Sequence, residues 1–111
     1  MKINEIINKL NYELLTNFQI NENLEANGVY ISDLLSDVIG NAQKGNIWVT
    51  LQGHINIVAV AVLKELPLII ISKNGTVEEN TIQKANEEDI ILLKSQDLTY
   101  QIACKLYKLG L

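Results

Sequence analysis

The chain of 111 residues contains no arginine; all nine of its basic residues are lysine, against thirteen acidic ones, for a formal net charge of −4. An acidic chain without guanidinium groups is a poor partner for nucleic acid, where clustered Lys and Arg neutralise phosphates. It also lacks the planar fork that grips carboxylates and phosphates through two parallel bonds. Cys104 is the only cysteine, which excludes an intrachain disulfide and a cysteine-based zinc site. It reads as a buried small hydrophobe on the last helix. His54 is the only histidine, so no multi-histidine metal site can form. The one proline, Pro67, closes an apolar segment. That region, residues 47–72, is interrupted by Gln52, Gly53, His54, Asn56, Lys64, Glu65 and Pro67. It falls short of the roughly 18–20 apolar residues of a membrane span. No long apolar stretch follows Lys2, so no signal peptide is expected and the protein reads as cytoplasmic.

What is present is a 48% hydrophobic, 20% charged chain, enough to bury a core as one domain over residues 1–111. Ile3, Ile6, Ile7 and Leu10 keep a helical period over residues 2–10. A short strand is expected at 12–15, a polar loop at 16–23, an Asn27-Gly28 turn and a strand at 29–31. Ser32 or Asp33 is placed to cap a helix that runs to Lys44 and stops at Gly45. Residues 46–51 read as a strand, broken by Gln52-Gly53-His54. The segment from Ile55 to Leu66 reads as a helix that is apolar nearly all round, and so buried on more than one side, the second by a partner chain. Residues 68–72 form a continuous apolar run, as in a central strand covered on both faces. After the Asn74-Gly75 turn, Thr76 and Glu79 have the spacing of a capping box for a helix ending near Glu87. A strand at 90–93 precedes a last helix, capped by Ser95 or Asp97, with Leu98, Ile102, Leu106 and Leu109 on one stripe. The order α-β-β-α-β-α-β-α-β-α predicts an α/β fold: a three-layer α/β/α sandwich around a mostly parallel or mixed sheet of about five strands.

Two strand-to-helix turns carry the polar residues of interest. In the first, Ser32, Asp33, Ser36 and Asp37 open a helix, and an i, i+4 spacing puts both carboxylates on one face. The pair fits either helix capping or a polar, cation-accepting edge. In the second, Thr50, Gln52, Gly53, His54 and Asn56 combine directional donors and acceptors with a glycine that permits close approach of a ligand or positive φ. Gly40 to Gly45 mimics the glycine spacing of a phosphate loop, but Asn46-Ile47 follows where Lys-Ser/Thr is needed, at the end of a helix. No catalytic set, metal site or cofactor is expected. Trp48, Tyr30, Tyr100 and Tyr107 do not interleave with lysines as a stacking platform would, and are assigned to core packing.

The strings Tyr30-Ile31-Ser32-Asp33-Leu34-Leu35-Ser36-Asp37-Val38, Gly45-Asn46-Ile47-Trp48-Val49-Thr50 continuing through His54 to Ala61, and Ala103-Cys104-Lys105-Leu106-Tyr107-Lys108-Leu109-Gly110-Leu111 resemble one family. It is the group of small stand-alone DRTGG-domain proteins, relatives of the N-terminal domain of HPr kinase/phosphorylase, and the similarity covers nearly the whole chain. The namesake Asp-Arg-Thr-Gly-Gly motif is absent, as it must be without arginine. The resemblance implies a three-layer α/β/α fold, often dimeric, and a regulatory or assembly module of the kind found beside CBS domains and in phosphotransacetylases. It does not bring kinase activity, because the phosphate loop belongs to the other half of HPr kinase. The expectation is therefore a non-catalytic regulatory or ligand-sensing homodimer, joined through the helix from Ile55 to Leu66, its ligand a nucleotide or phosphometabolite. The alternatives are an adaptor or accessory subunit for a redox enzyme or other protein, since similar proteins are encoded near redox enzymes, and a small phosphotransferase using His54 with Asp33 or Asp37.

Overall fold

A computed structural model describes all residues, Met1–Leu111. The elements follow the expected order: α1 (Ile3–Leu10), β1 (Glu13–Leu14), β2 (Gly28–Ile31), α2 (Leu35–Asn41), β3 (Asn46–Thr50), α3 (Asn56–Lys64), β4 (Leu68–Ile71), α4 (Glu79–Glu87), β5 (Ile91–Lys94) and α5 (Thr99–Lys108). The sheet is five-stranded and mixed, in the order β1-β5-β4-β3-β2. β2 to β5 are parallel to their neighbours, and β1 runs antiparallel along β5.

The layering follows from the connections. Each of the three crossovers from β2 to β5 steps one strand in the same direction, so a common right-handed sense puts α2, α3 and α4 on one face. Their apolar residues Val38, Ile57, Ala61 and Ala85 pack with Trp48, Ile69 and Leu92. Ile3, Ile6, Ile102 and Leu106 of α1 and α5 cover the other face over Ile47, Ile70 and Leu93. Every residue of β3 and β4 is buried, as strands covered on both faces require. No helix is long and apolar enough to cross a membrane.

Several local expectations are corrected. α2 begins at Leu35, because the Ser32 and Asp33 side chains bond elsewhere. The Thr76–Glu79 capping box does not form: Glu78 donates its amide to Gly53 O (3.2 Å), and the helix starts at Glu79. α5 begins at Thr99, with Gln101 Oε1 accepting from the Leu98 amide at 2.8 Å, so neither Ser95 nor Asp97 caps it. Cys104 is half-buried. Tyr100 and Tyr107 are 78% and 79% exposed on the outer side of α5, while Trp48 is fully buried. The helix expected from Ile55 to Leu66 is shorter, Asn56–Lys64, ending in a left-handed Glu65 before Pro67. Its inner side is buried, while Val62 is 42% and Leu63 65% exposed.

Candidate functional site

The parallel register brings the carboxyl ends of β2, β3 and β4 to one rim, where Ile31 is level with Val49 and Thr50 with Ile71. The two polar turns leave from this rim and are bonded to each other. Ser32 donates its amide to Val49 O (3.3 Å) and accepts Trp48 Nε1–H at its carbonyl (2.9 Å). Its hydroxyl oxygen accepts from the Leu34 amide at 3.2 Å, which makes Ser32 a brace of the turn. Asp33 crosses to the second turn: its Oδ1 accepts from Thr50 Oγ1 and from the Leu51 amide, both at 2.8 Å. Gln52 returns the contact, donating Nε2–H to Asp33 O at 2.7 Å and its amide to Thr50 Oγ1 at 3.2 Å. Asp33, Leu51 and Gln52 line a shallow depression that is open to solvent.

Asp37 is not part of this bridge. It sits in the first turn of α2, where Tyr30 Oη donates to Oδ1 at 2.8 Å and Asn41 Nδ2 at 2.9 Å. The Ser32 hydroxyl beside it, then Tyr30 and Asn41, hold its carboxyl below the usual range; the same bond raises the Tyr30 phenol, with burial adding to it. The expected shared face of Asp33 and Asp37 is therefore corrected: Asp33 precedes the helix, and each carboxylate has its own donors. Ser36 is exposed on the outer side of α2. No three His, Cys, Asp or Glu side chains converge at a distance that holds a metal. A depressed carboxyl stabilises the fold above the ordinary carboxylate range, an effect lost as pH falls through its lower folded value. Asp37→Asn is expected to cause a small drop in melting temperature at neutral pH. That gap should close on acidification, which paired thermal melts across pH will check.

Gly53 does not have positive φ, and its role is a backbone contact. A Cβ there would lie 1.8 Å from Thr76 O. Its carbonyl accepts from the Glu78 amide and from Thr81 Oγ1 at 2.8 Å, joining the second turn to the start of α4. His54 is exposed, and its Nδ1 accepts from the Asn56 amide at 3.2 Å in the first turn of α3. It thus acts as a local cap, bonded to neither Asp33 nor Asp37.

No family model matches the chain, and no curated protein matches it. Among solved structures it is similar to the crystal structure of the CBS and DRTGG domains of the regulatory region of Clostridium perfringens pyrophosphatase, complexed with the activator diadenosine tetraphosphate. The two share a fold. The TM-score is 0.75 at 13% identity, over 95% of this chain and 45% of that one. The chain thus spans less than half the length of its structural neighbour, and the likeness bears on the α/β architecture described above.

Residues to which the sequence assigns no site role take part at this rim: Tyr30, assigned to core packing, and Asn41 as donors to Asp37, Trp48, likewise assigned to the core, as donor to Ser32, and the Leu51 amide as donor to Asp33. Asn41 at i+4 from Asp37 is the one with a local signal in its spacing. A second cluster also went unmarked. Tyr12 Oη donates to Asp97 Oδ2 at 2.8 Å, and Lys105 Nζ reaches the same oxygen at 2.6 Å.

Proposed function

We propose that this chain is a DRTGG-type regulatory domain, related to the N-terminal domain of HPr kinase/phosphorylase. In this reading it is a cytoplasmic, non-catalytic homodimer that senses a nucleotide or phosphometabolite. The observation that supports it is the shared fold, over nearly the whole chain, with a regulatory region whose structure holds a nucleotide activator. The ligand would lie at the rim formed by Ser32, Asp33, Ser36, Asp37, Thr50, Gln52, Gly53, His54 and Asn56. There Gln52 and Asp33 border the shallow depression, and His54 is exposed. A phosphate group would rely on backbone amides, lysines or a bridging cation, since arginine is absent. Thermal-shift measurement with nucleotides and phosphometabolites tests the sensing. At least one should raise the melting temperature of the chain and fail to do so in Asp33→Ala; no shift with any of them refutes it.

The dimer would form on α3, the middle helix of its layer, whose outer side carries Ala59, Val62 and Leu63 without a charge between them. Two-fold pairing of such a face buries it against itself. Sedimentation at micromolar concentration should give a dimer, and Leu63→Glu should weaken it by at least about thirtyfold, as loss of an interface anchor does. The same apolar face favours a second reading, an adaptor or accessory subunit for a redox enzyme or another protein. A monomer in sedimentation, together with a stoichiometric partner recovered from the native cell, would select that reading.

A further inference from the structure

At the carboxyl edge of the sheet, β4 leads into α4 on one face, and the adjacent β5 leads into α5 on the other. Connections that diverge from neighbouring strands leave a crevice between them, where open α/β sheets hold ligands. Here a cavity of about 280 Å³ opens at that edge, far along the sheet from Asp33, with Tyr12, Glu13, Asn74, Lys94, Gln96 and Asp97 among its lining residues. One wall is fixed by the Asp97 carboxylate, which accepts from Tyr12 Oη and pairs with Lys105. Lys105 also lies 5.4 Å above the Tyr12 ring, so the ammonium is held by two groups at once. Beside it runs the Lys73–Asn74 turn, of which Asn74 lines the cavity. Both residues are left-handed, with φ of 57° and 54°, and their amides are bonded to Asp97 O (2.9 Å) and Ser95 O (2.7 Å). Those bonds hold Asn74 in a backbone conformation that side-chain-bearing residues rarely adopt.

The charges decide what such a space accepts. Glu13 and Lys94 are cross-strand partners of β1 and β5. Their neighbours Leu14 and Leu93 are also paired, and Leu93 enters the α1/α5 core, so alternation turns Glu13 and Lys94 to the other face of the sheet. Neither is engaged in an ion pair with any other residue. With Asp97 offset by Lys105, the lining residues Lys94 and Glu13 bring to this edge one ammonium and one carboxylate outside any ion pair, beside Asn74 and Gln96. A simple anion would meet Glu13, and a simple cation would meet Lys94. We infer that the crevice is a binding site for a small zwitterion of the α-amino-acid type, its carboxylate on Lys94 and its ammonium on Glu13.

Amide-resolved NMR titration of the full chain tests this, with individual L-amino acids as probes and acetate, methylammonium and inorganic phosphate as single-charge controls. At least one amino acid should shift the amides of Asn74, Lys94 and Gln96 to saturation, while the controls leave them in place at the same concentration. Lys94→Gln and Glu13→Gln should each weaken that binding about tenfold or more, the effect of losing one charge-assisted bond. Both substitutions lie at the sheet edge and should leave the melting temperature nearly unchanged. The inference is overturned if no amino acid shifts these amides, or if acetate or phosphate binds as well. It is equally overturned if Glu13→Gln binds unchanged, or if the shifts fall at Leu51 and Gln52 instead.

Discussion

Gly53→Ala is expected to destabilise the domain by about 3 kcal/mol, from overpacking and a lost buried hydrogen bond together. The added Cβ would stand 1.8 Å from Thr76 O and 2.8 Å from both Thr76 C and Val77 Cα. All three are backbone atoms, so no rotamer change relieves the clash; the turn after β3 must move away from the segment leading into α4. That movement breaks the bonds from Gly53 O to the Glu78 amide and to Thr81 Oγ1. Thr81 is fully buried, so its hydroxyl would lose a partner out of reach of water. Trp48 is the only tryptophan, and its emission reports unfolding directly. Urea titration should show a lower midpoint with an unchanged slope. A loss below about 1 kcal/mol, within the ordinary range for a point substitution, would mean that the turn yields freely and that the contact is not a constraint.

Trp48→Ala should cost about 4 kcal/mol, as expected for removing a fully buried large aromatic side chain. In a domain of this size that is a large share of the total stability. The loss has two parts. The indole fills the space between the sheet and the α2–α4 layer, and its Nε1–H holds the Ser32 carbonyl at 2.9 Å. Trp48→Phe keeps much of the packing and removes the bond, at about 1–2 kcal/mol. It should also loosen the turn that carries Asp33, seen as faster hydrogen exchange at Leu34 and Leu51, whose amides are held by Ser32 Oγ and Asp33 Oδ1. Circular dichroism through urea measures both variants. Equal stability of the alanine and phenylalanine variants would show that the bond, not the packed ring, carries the effect.

These effects bear on which parts of the molecule were legible in its sequence. The β-branched and aromatic residues at 46–51 predicted a strand and the continuous apolar run at 68–72 a central one; β3 and β4 are both buried along their whole length. The all-round apolar segment from Ile55 to Leu66 predicted a helix with a second apolar side, and α3 leaves Val62 and Leu63 uncovered there. Beyond the outward-facing Tyr100 and Tyr107, the half-buried Cys104 and the shorter α3, the errors concern polar residues near helix starts. Ser32, Asp33, Thr76, Ser95 and Asp97 all have the chemistry of caps, and the local spacing supports that role. In the fold, Asp33 bonds Thr50 and Leu51, and Asp97 bonds Tyr12 and Lys105. Glu78 gives its amide to Gly53, which leaves the Thr76 box unformed. For Asp33 and Asp97 distant partners outcompete the local ones, because the chain crossings deliver them already positioned by packed strands, while Ser32 and Ser95 accept from the amides of Leu34 and Asp97 two residues on.

The rim residues divide in the same way. The composition and position of Thr50, Gln52 and Asp33 mark them, and the structure bonds them together, while Gly53 beside them joins the start of α4. Asp37 and His54 were marked beside them and instead serve their own helices, α2 and α3. The Tyr12–Asp97–Lys105 cluster joins residues from opposite ends of the chain and leaves no periodic trace.

The sequence by itself determined the order of the elements, the central strand at residues 68–72 and the three-layer class, since these depend on hydrophobic period, which each segment carries alone. The absence of arginine likewise settled, before any fold was known, which kind of anion grip is unavailable. Only the tertiary structure decided which carboxylate meets which donor. It also placed the divergence of α4 and α5 around the β4–β5 edge, where a crevice opens. Those outcomes follow from strand order and the hand of the crossovers, properties of how segments are joined in space, and no single segment encodes them.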